Sequence, residues 1–185
     1  MNNVLAVRSR QEFREWLEKN ASKETECYVV IKRGKPTDEK TFWYLDAVEE
    51  ALCFGWIDST VRKENGIAYQ RFTPRKKDGL WTELNKERVR RLERLGKMTD
   101  AGRAVLPDMD KPFCVDKEIE RALREANAWE KFLVFSPLYQ RVRAYNVAFY
   151  KNRDAQAYKK ALAHLIEETA KGKTYGNWND YGRLL

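Results

Sequence analysis

The segment Ile57–Lys63, Glu64-Asn65-Gly66, Ile67–Thr73 constrains the fold more than any other stretch of this chain. Asn-Gly suits a tight turn because both residues tolerate positive φ, and an alternating arm lies on each side of it. In the first arm Ile57, Ser59 and Val61 alternate with Asp58, Thr60 and Arg62; in the second Ala68, Gln70 and Phe72 alternate with Tyr69, Arg71 and Thr73. That pattern predicts an antiparallel hairpin with one face toward a core and one displaying polar groups.

Helices are expected on both sides of it. Ser9 with Glu12 makes a capping box for a helix whose inner face is Phe13, Trp16 and Leu17. The run Cys27–Lys32 reads as a short β-branched strand, and Arg33–Trp43 as a loop. Leu45, Val48, Ala51 and Leu52 predict a second helix closed at Gly55. Thr82 caps a third, with Leu84, Val89, Leu92 and Leu95 inward and Arg90, Arg91 and Arg94 outward, and Thr99 caps a short fourth.

Residues 106–115 carry two prolines and no period, so they read as a connector between an α+β domain (1–105) and a helical domain (116–172). In the latter, Asp116, Ser136-Pro137 and Asp154 mark helix starts, and one further helix covers 128–135. Leu138, Val142, Tyr145 and Phe149 share a face of one helix, and Tyr158, Leu162, Leu165 and Ile166 of the last. The tail, 173–185, is rich in Gly and Asn and is expected to be irregular. The expected fold class is α+β: a small antiparallel sheet with packed helices, followed by a C-terminal helical bundle.

Composition narrows the function. No run of eighteen apolar residues is present, so no membrane span is expected, and the opening MNNVLAVRSRQEF does not read as a secretory leader. Cys27, Cys53 and Cys114 are odd in number and far apart, which fits free thiols in a reducing compartment; the expected location is cytoplasmic. Of a formal net charge of +8, residues 61–103 carry 13 basic against 6 acidic side chains. A local field of that sign draws phosphates, nucleic acid or acidic protein surfaces.

The candidate ligand-binding residues lie in that neighbourhood: Trp56, Asp58, Arg71, Thr73, Arg75, Trp81 and Asn85. Asp58 and Arg71 are expected near each other across the hairpin. Arg75, Lys76 and the amides at the helix start near Thr82 suit an anionic oxygen, and Trp56 and Trp81 offer flat faces for stacking. The competing reading makes Trp56 core, Asp58–Arg71 a cross-strand ion pair and the arginines a solvated face. His164 is the one histidine, Cys53 reads as a small buried hydrophobe, and Glu49-Glu50 as helix residues without acid–base geometry. No catalytic residue, metal site or cofactor is expected.

Three pieces of text resemble the YdeI/OmpD-associated family of small bacterial proteins: EEALCFGWIDS, QRFTPRKKDGLWTELNKERVRRLERLGKMTDAG, and FSPLYQRVRAYNVAFYKNRD running on toward GK. The last departs from the family pattern, since a lysine pair followed by Glu-Thr-Arg is replaced here by Asn152–Tyr158. The resemblance implies a role in bacteriocin or stress protection and association with an envelope protein. It brings no established reaction. The expectation is a non-enzymatic binding protein with a basic, Trp/Arg-rich surface for a phosphate, nucleotide, nucleic acid or protein partner. The alternative is an enzyme on a small phosphorylated or nucleotide-like substrate, with Asp58 as base and the arginines as clamps.

Overall fold

Ser9 begins the first helix, α1 (Arg10–Asn20): its Oγ accepts from the Glu12 N–H at 3.2 Å, and Glu12 reaches back to accept from the Arg8 N–H at 2.8 Å. The return bond falls one residue before the cap, on an amide that precedes the helix, so the box closes one position early. Phe13 and Leu17 are fully buried. The computed structural model describes residues 3–185.

The fold is α+β. The chain divides into two compact units, residues 1–80 with 88–109 and residues 81–87 with 110–185. In the first unit β1 (Cys27–Val29) is shorter than the sequence suggests, ending before the exposed Val30. Next come α2 (Tyr44–Cys53), β2 (Trp56–Glu64) and β3 (Ile67–Pro74). The sheet order is β1-β3-β2, antiparallel throughout. Asn65 and Gly66 both have positive φ, at 50° and 79°, as the Asn-Gly turn requires.

A bulge interrupts β2 between Asp58 and Val61. Asp58 opposes Phe72 and Val61 opposes Gln70, so Ser59 and Thr60 together face Arg71. The bulge shifts the alternation by one residue, putting Trp56, Asp58 and Val61 on one face and breaking the simple period read from sequence. Gln70, buried on that face, donates its amide to the Ser59 and Thr60 carbonyls at 3.3 Å each. A buried polar side chain thereby satisfies the carbonyls that the irregular ladder leaves open.

Helix α3 (Glu83–Arg94) is capped as expected, with Thr82 Oγ1 accepting from the Asn85 N–H at 3.1 Å, and α4 (Asp100–Arg103) is capped by Thr99. Two of the expected orientations on α3 are corrected. Leu95 is 50% exposed because the helix ends around it at Gly96, and Arg91 turns inward to Glu49 at 2.9 Å.

The second unit contains α5 (Lys117–Glu125), α6 (Trp129–Val134), α7 (Pro137–Ala148) and α8 (Ala155–Ala170). Asp116, Ser136 and Asp154 each accept first-turn amides. The core is built on Ile119, Leu123, Trp129, Phe132, Tyr139 and Leu165. Helix α7 buries Tyr139, Ala144 and Val147 beside Leu138 and Val142, whereas Phe149 stays exposed, so its buried surface is wider than one stripe. The tail is irregular as expected, apart from a single turn of 3-10 helix at Asp180–Gly182, but it is packed: Tyr175 and Trp178 lie on the core, and Leu184 is buried with Leu138 and Val142. Glycines and asparagines set its turns while the interleaved aromatic and leucine side chains anchor it.

Asp116 also receives the Lys151 ammonium at 2.9 Å. Burial opposes its charge, but the Lys151 bond and the Glu118 N–H outweigh that and hold the carboxyl below its usual range. A depressed carboxyl stabilises the fold above its unfolded pKa, about 3.9, and loses that contribution as pH falls through the folded value. Asp116→Asn is therefore expected to cost about 0.5–1 kcal/mol in urea unfolding at pH 7. The gap to wild type is expected to narrow as pH falls below about 3.9, the unfolded value; a gap independent of pH would refute this account.

Candidate functional site

In the first unit, packing of α2 on the hairpin brings Tyr44, at the start of the helix, against Asp58 on β2. The Tyr44 hydroxyl donates to Asp58 Oδ2 at 2.7 Å, and both residues are half-buried. Burial and the Asp58 carboxylate raise the Tyr44 pKa, while Arg88 and Arg33 pull it the other way. The phenol therefore stays protonated and serves as a donor, not as a base.

Arg33 lies over the Tyr44 ring, 4.4 Å from its centroid, and donates to Gln70 Oε1. Gln70 in turn holds the bulge carbonyls, so one chain of contacts links Arg33, Tyr44, Asp58 and the bulge. The arrangement is suited to orienting a polar or anionic group.

The seven residues picked from the sequence have different surroundings. Trp56 is 1% exposed, donates Nε1 to the Ala21 carbonyl at 3.2 Å and meets the Trp16 ring edge-on at 5.8 Å. It has no open face for stacking. Arg71 is not the partner of Asp58: residues directly opposed share a face, Asp58 opposes Phe72, and Arg71 therefore points the other way. Its Nε donates instead to Glu26 at 2.6 Å. Thr73 opposes Ile57 and is half-buried.

Arg75 is buried, with its backbone N–H on the Gly55 carbonyl at 2.8 Å and Nη1 on the Leu80 carbonyl at 2.7 Å, which ties together the loop after β3. In the second unit Trp81 and Asn85 are buried, and the first turn of α3 already carries the buried carboxylate of Glu83, bound by Lys86 at 2.8 Å. That fixed negative charge supplies what an incoming anion would offer the helix end.

Tyr44, Arg33, Gln70 and Arg88 escaped sequence reasoning. For Gln70 a signal existed, since it is the polar residue among inward-facing positions of β3. Tyr44 and Arg33 depend on long-range packing that no local pattern records.

A second polar cluster joins α1, α2 and α3. Glu49 and Glu50 are essentially unexposed, at 0% and 1%, with Asp46 nearly so. Arg10 bonds Glu50 through Nε and Glu49 through Nη1 at 2.8 Å, while Arg14 meets Glu50 at 2.8 Å and Arg91 meets Glu49 at 2.9 Å. Burial, then neighbouring carboxylates, push both the Cys27 and the Cys53 thiols up to about 12, so neither is an available thiolate nucleophile. On α8, ligand atoms of His164, Glu167 and Glu168 lie within 4.8 Å of one another, but Lys171 holds both carboxylates, at 2.6 and 2.9 Å.

Among the described residues no helix is long and apolar enough to cross a membrane. No curated protein and no solved structure matches the chain. A family model does match, over residues 5–105, which span α1 through α4 and include the Tyr44–Asp58 pair. The chain belongs to the family described as Domain of unknown function (DUF8412).

Proposed function

We propose that this chain is a non-enzymatic binding protein that takes a phosphate-bearing partner on the basic hairpin of its first unit. Its role would be the stress or envelope protection implied by the resemblance to the YdeI/OmpD-associated proteins. The observation that supports this is the position of the cations that stay outside the protein's own ion pairs. Arg62 and Lys63 stand exposed on the outer half of the hairpin, and Lys76 and Lys77 beyond its end. Among the described residues Lys63, Lys76 and Lys77 make no ion pair, and Arg62 rests over the Tyr28 ring at 5.5 Å. Arg71 and Arg75 are engaged within the fold, so the binding surface is drawn on Arg62, Lys63, Lys76 and Lys77.

The test is affinity for short single- and double-stranded nucleic acid at several salt concentrations. Arg62→Ala/Lys63→Ala is expected to weaken binding and to reduce the log–log salt slope on duplex by about 1.8, since each neutralised phosphate contributes about 0.9. An unchanged slope, or no binding at low salt, refutes the nucleic-acid form of the proposal.

A second reading, an enzyme on a small phosphorylated or nucleotide-like substrate, draws on the Tyr44–Asp58 hydrogen bond beside Arg33 and Arg88. There Asp58 is the base and the arginines hold the anion. Asp58→Asn separates the two: it abolishes turnover in the enzyme reading and leaves nucleic-acid affinity unchanged in the binding reading.

A further inference from the structure

Between α7 and α8 the second unit holds a cleft of about 440 Å³, within the range of small-molecule sites, roughly 300–1,000 Å³. Arg143 is the one basic side chain among its lining residues besides His164, and no aspartate or glutamate lines it. A half-buried arginine is ordinarily compensated by a carboxylate. Arg143 makes no ion pair among the described residues, and its Nε is buried without a hydrogen-bond partner. The nearby carboxylate of Glu168 is taken by Lys171 at 2.9 Å.

The rest of the wall is aromatic. The Tyr175 ring lies against the His164 ring, centroids 4.3 Å apart, and the Arg143 guanidinium covers it at 4.6 Å. Phe149 and Tyr150 meet edge to face at 5.5 Å and are 37% and 39% exposed. Their open surfaces favour a flat ring. Gly176 sets the place of the arginine: a Cβ there would come within 2.7 Å of Arg143 Nη2, so glycine leaves the room that the guanidinium fills.

We propose that this cleft binds a small planar organic anion, an aromatic or heteroaromatic ring bearing a carboxylate or a phosphate. The ring packs on the aromatic wall and the anion meets Arg143, with the Asn146 amide at the exposed rim. Charge complementarity selects the anion and the absence of lining carboxylates excludes cations. This site is separate from the hairpin and its chemistry.

Calorimetric titration of the full chain with adenosine 5′-monophosphate and with 4-hydroxybenzoate tests the proposal, with adenosine, phenol and inorganic phosphate as partial probes. At least one charged ring compound is expected to bind with Kd below about 1 mM, and its uncharged counterpart about tenfold more weakly. Binding of the nucleotide alone assigns a nucleotide-like ligand, and binding of the benzoate alone an aromatic acid. Arg143→Met is expected to weaken binding about tenfold. Asn146→Trp, at an exposed position, blocks the mouth without disturbing the core and keeps the test decisive if the arginine variant does not fold. Arg62→Ala/Lys63→Ala is expected to leave this binding unchanged. Failure of both charged compounds to bind at about 10 mM overturns the proposal, as does affinity unaffected by Asn146→Trp or inorganic phosphate binding as tightly as the ring compounds.

Discussion

Trp56→Ala is expected to destabilise the first unit by about 3–5 kcal/mol, the cost typical of emptying a large buried aromatic site. The indole is 1% exposed and stands edge-on to Trp16 at 5.8 Å, at the start of β2 where it faces α1 and α2 with Phe72 and Cys27. Its removal deletes that packing and leaves the Ala21 carbonyl without its 3.2 Å donor, an added penalty of about 1–3 kcal/mol if the carbonyl stays buried. Urea unfolding followed by circular dichroism measures the loss. A ligand-stacking tryptophan behaves in the opposite way: its alanine variant keeps its stability and loses affinity. A change below about 1 kcal/mol would return Trp56 to the binding surface.

Arg10→Met is expected to cost a similar amount, about 3–5 kcal/mol, because removing one partner of a buried ion cluster strands the others. Burial opposes the Arg10 charge, and the carboxylates of Glu50 and Glu49 more than offset it, raising its pKa. Without the guanidinium, Asp46, Glu49 and Glu50 remain buried with one cation fewer, Arg14 still meeting Glu50 and Arg91 meeting Glu49. Adding Glu50→Leu to Arg10→Met is expected to recover at least half of the loss, since removing both partners of a buried pair leaves no stranded charge between them. The double-mutant cycle is read by the same unfolding measurement. Additive losses would mean that Arg10 and Glu50 are not coupled and that the cluster is decoration on a core held by Leu45, Val48 and Leu52.

The elements that sequence located well are those with short-range causes. Ser9, Thr82, Thr99, Asp116, Ser136 and Asp154 all cap helices, because a cap is a contact between residues two or three apart. The Asn65-Gly66 turn is likewise local, and it set the hairpin. The bulge at Ser59-Thr60 was not legible, since it belongs to the pairing of β2 with β3 and to one buried glutamine. Missing it placed Asp58 and Arg71 on one face, and in place of the cross-strand ion pair of the competing reading stand two separate contacts, the Tyr44–Asp58 hydrogen bond and the Glu26–Arg71 ion pair.

The candidate site shows the same division. Sequence singled out the basic stretch 61–103 and Asp58, because composition and residue type are written there. Burial is not: Trp56, Trp81 and Arg75 look like surface chemistry in a polar neighbourhood and are inside the fold. Glu49 and Glu50, read from sequence only as helix residues without acid–base geometry, are buried where arginines from α1 and α3 arrive from about forty residues away in each direction to neutralise them. The irregular tail is packed for a related reason, its aromatic residues finding Tyr139 on α7. By itself the sequence determined which helices begin where, the hairpin turn, the α+β class and the sign of the surface field, all consequences of neighbours along the chain. The tertiary structure decided which polar groups are exposed and with whom they pair, because desolvation and ion pairing act between residues that meet only when the chain has folded.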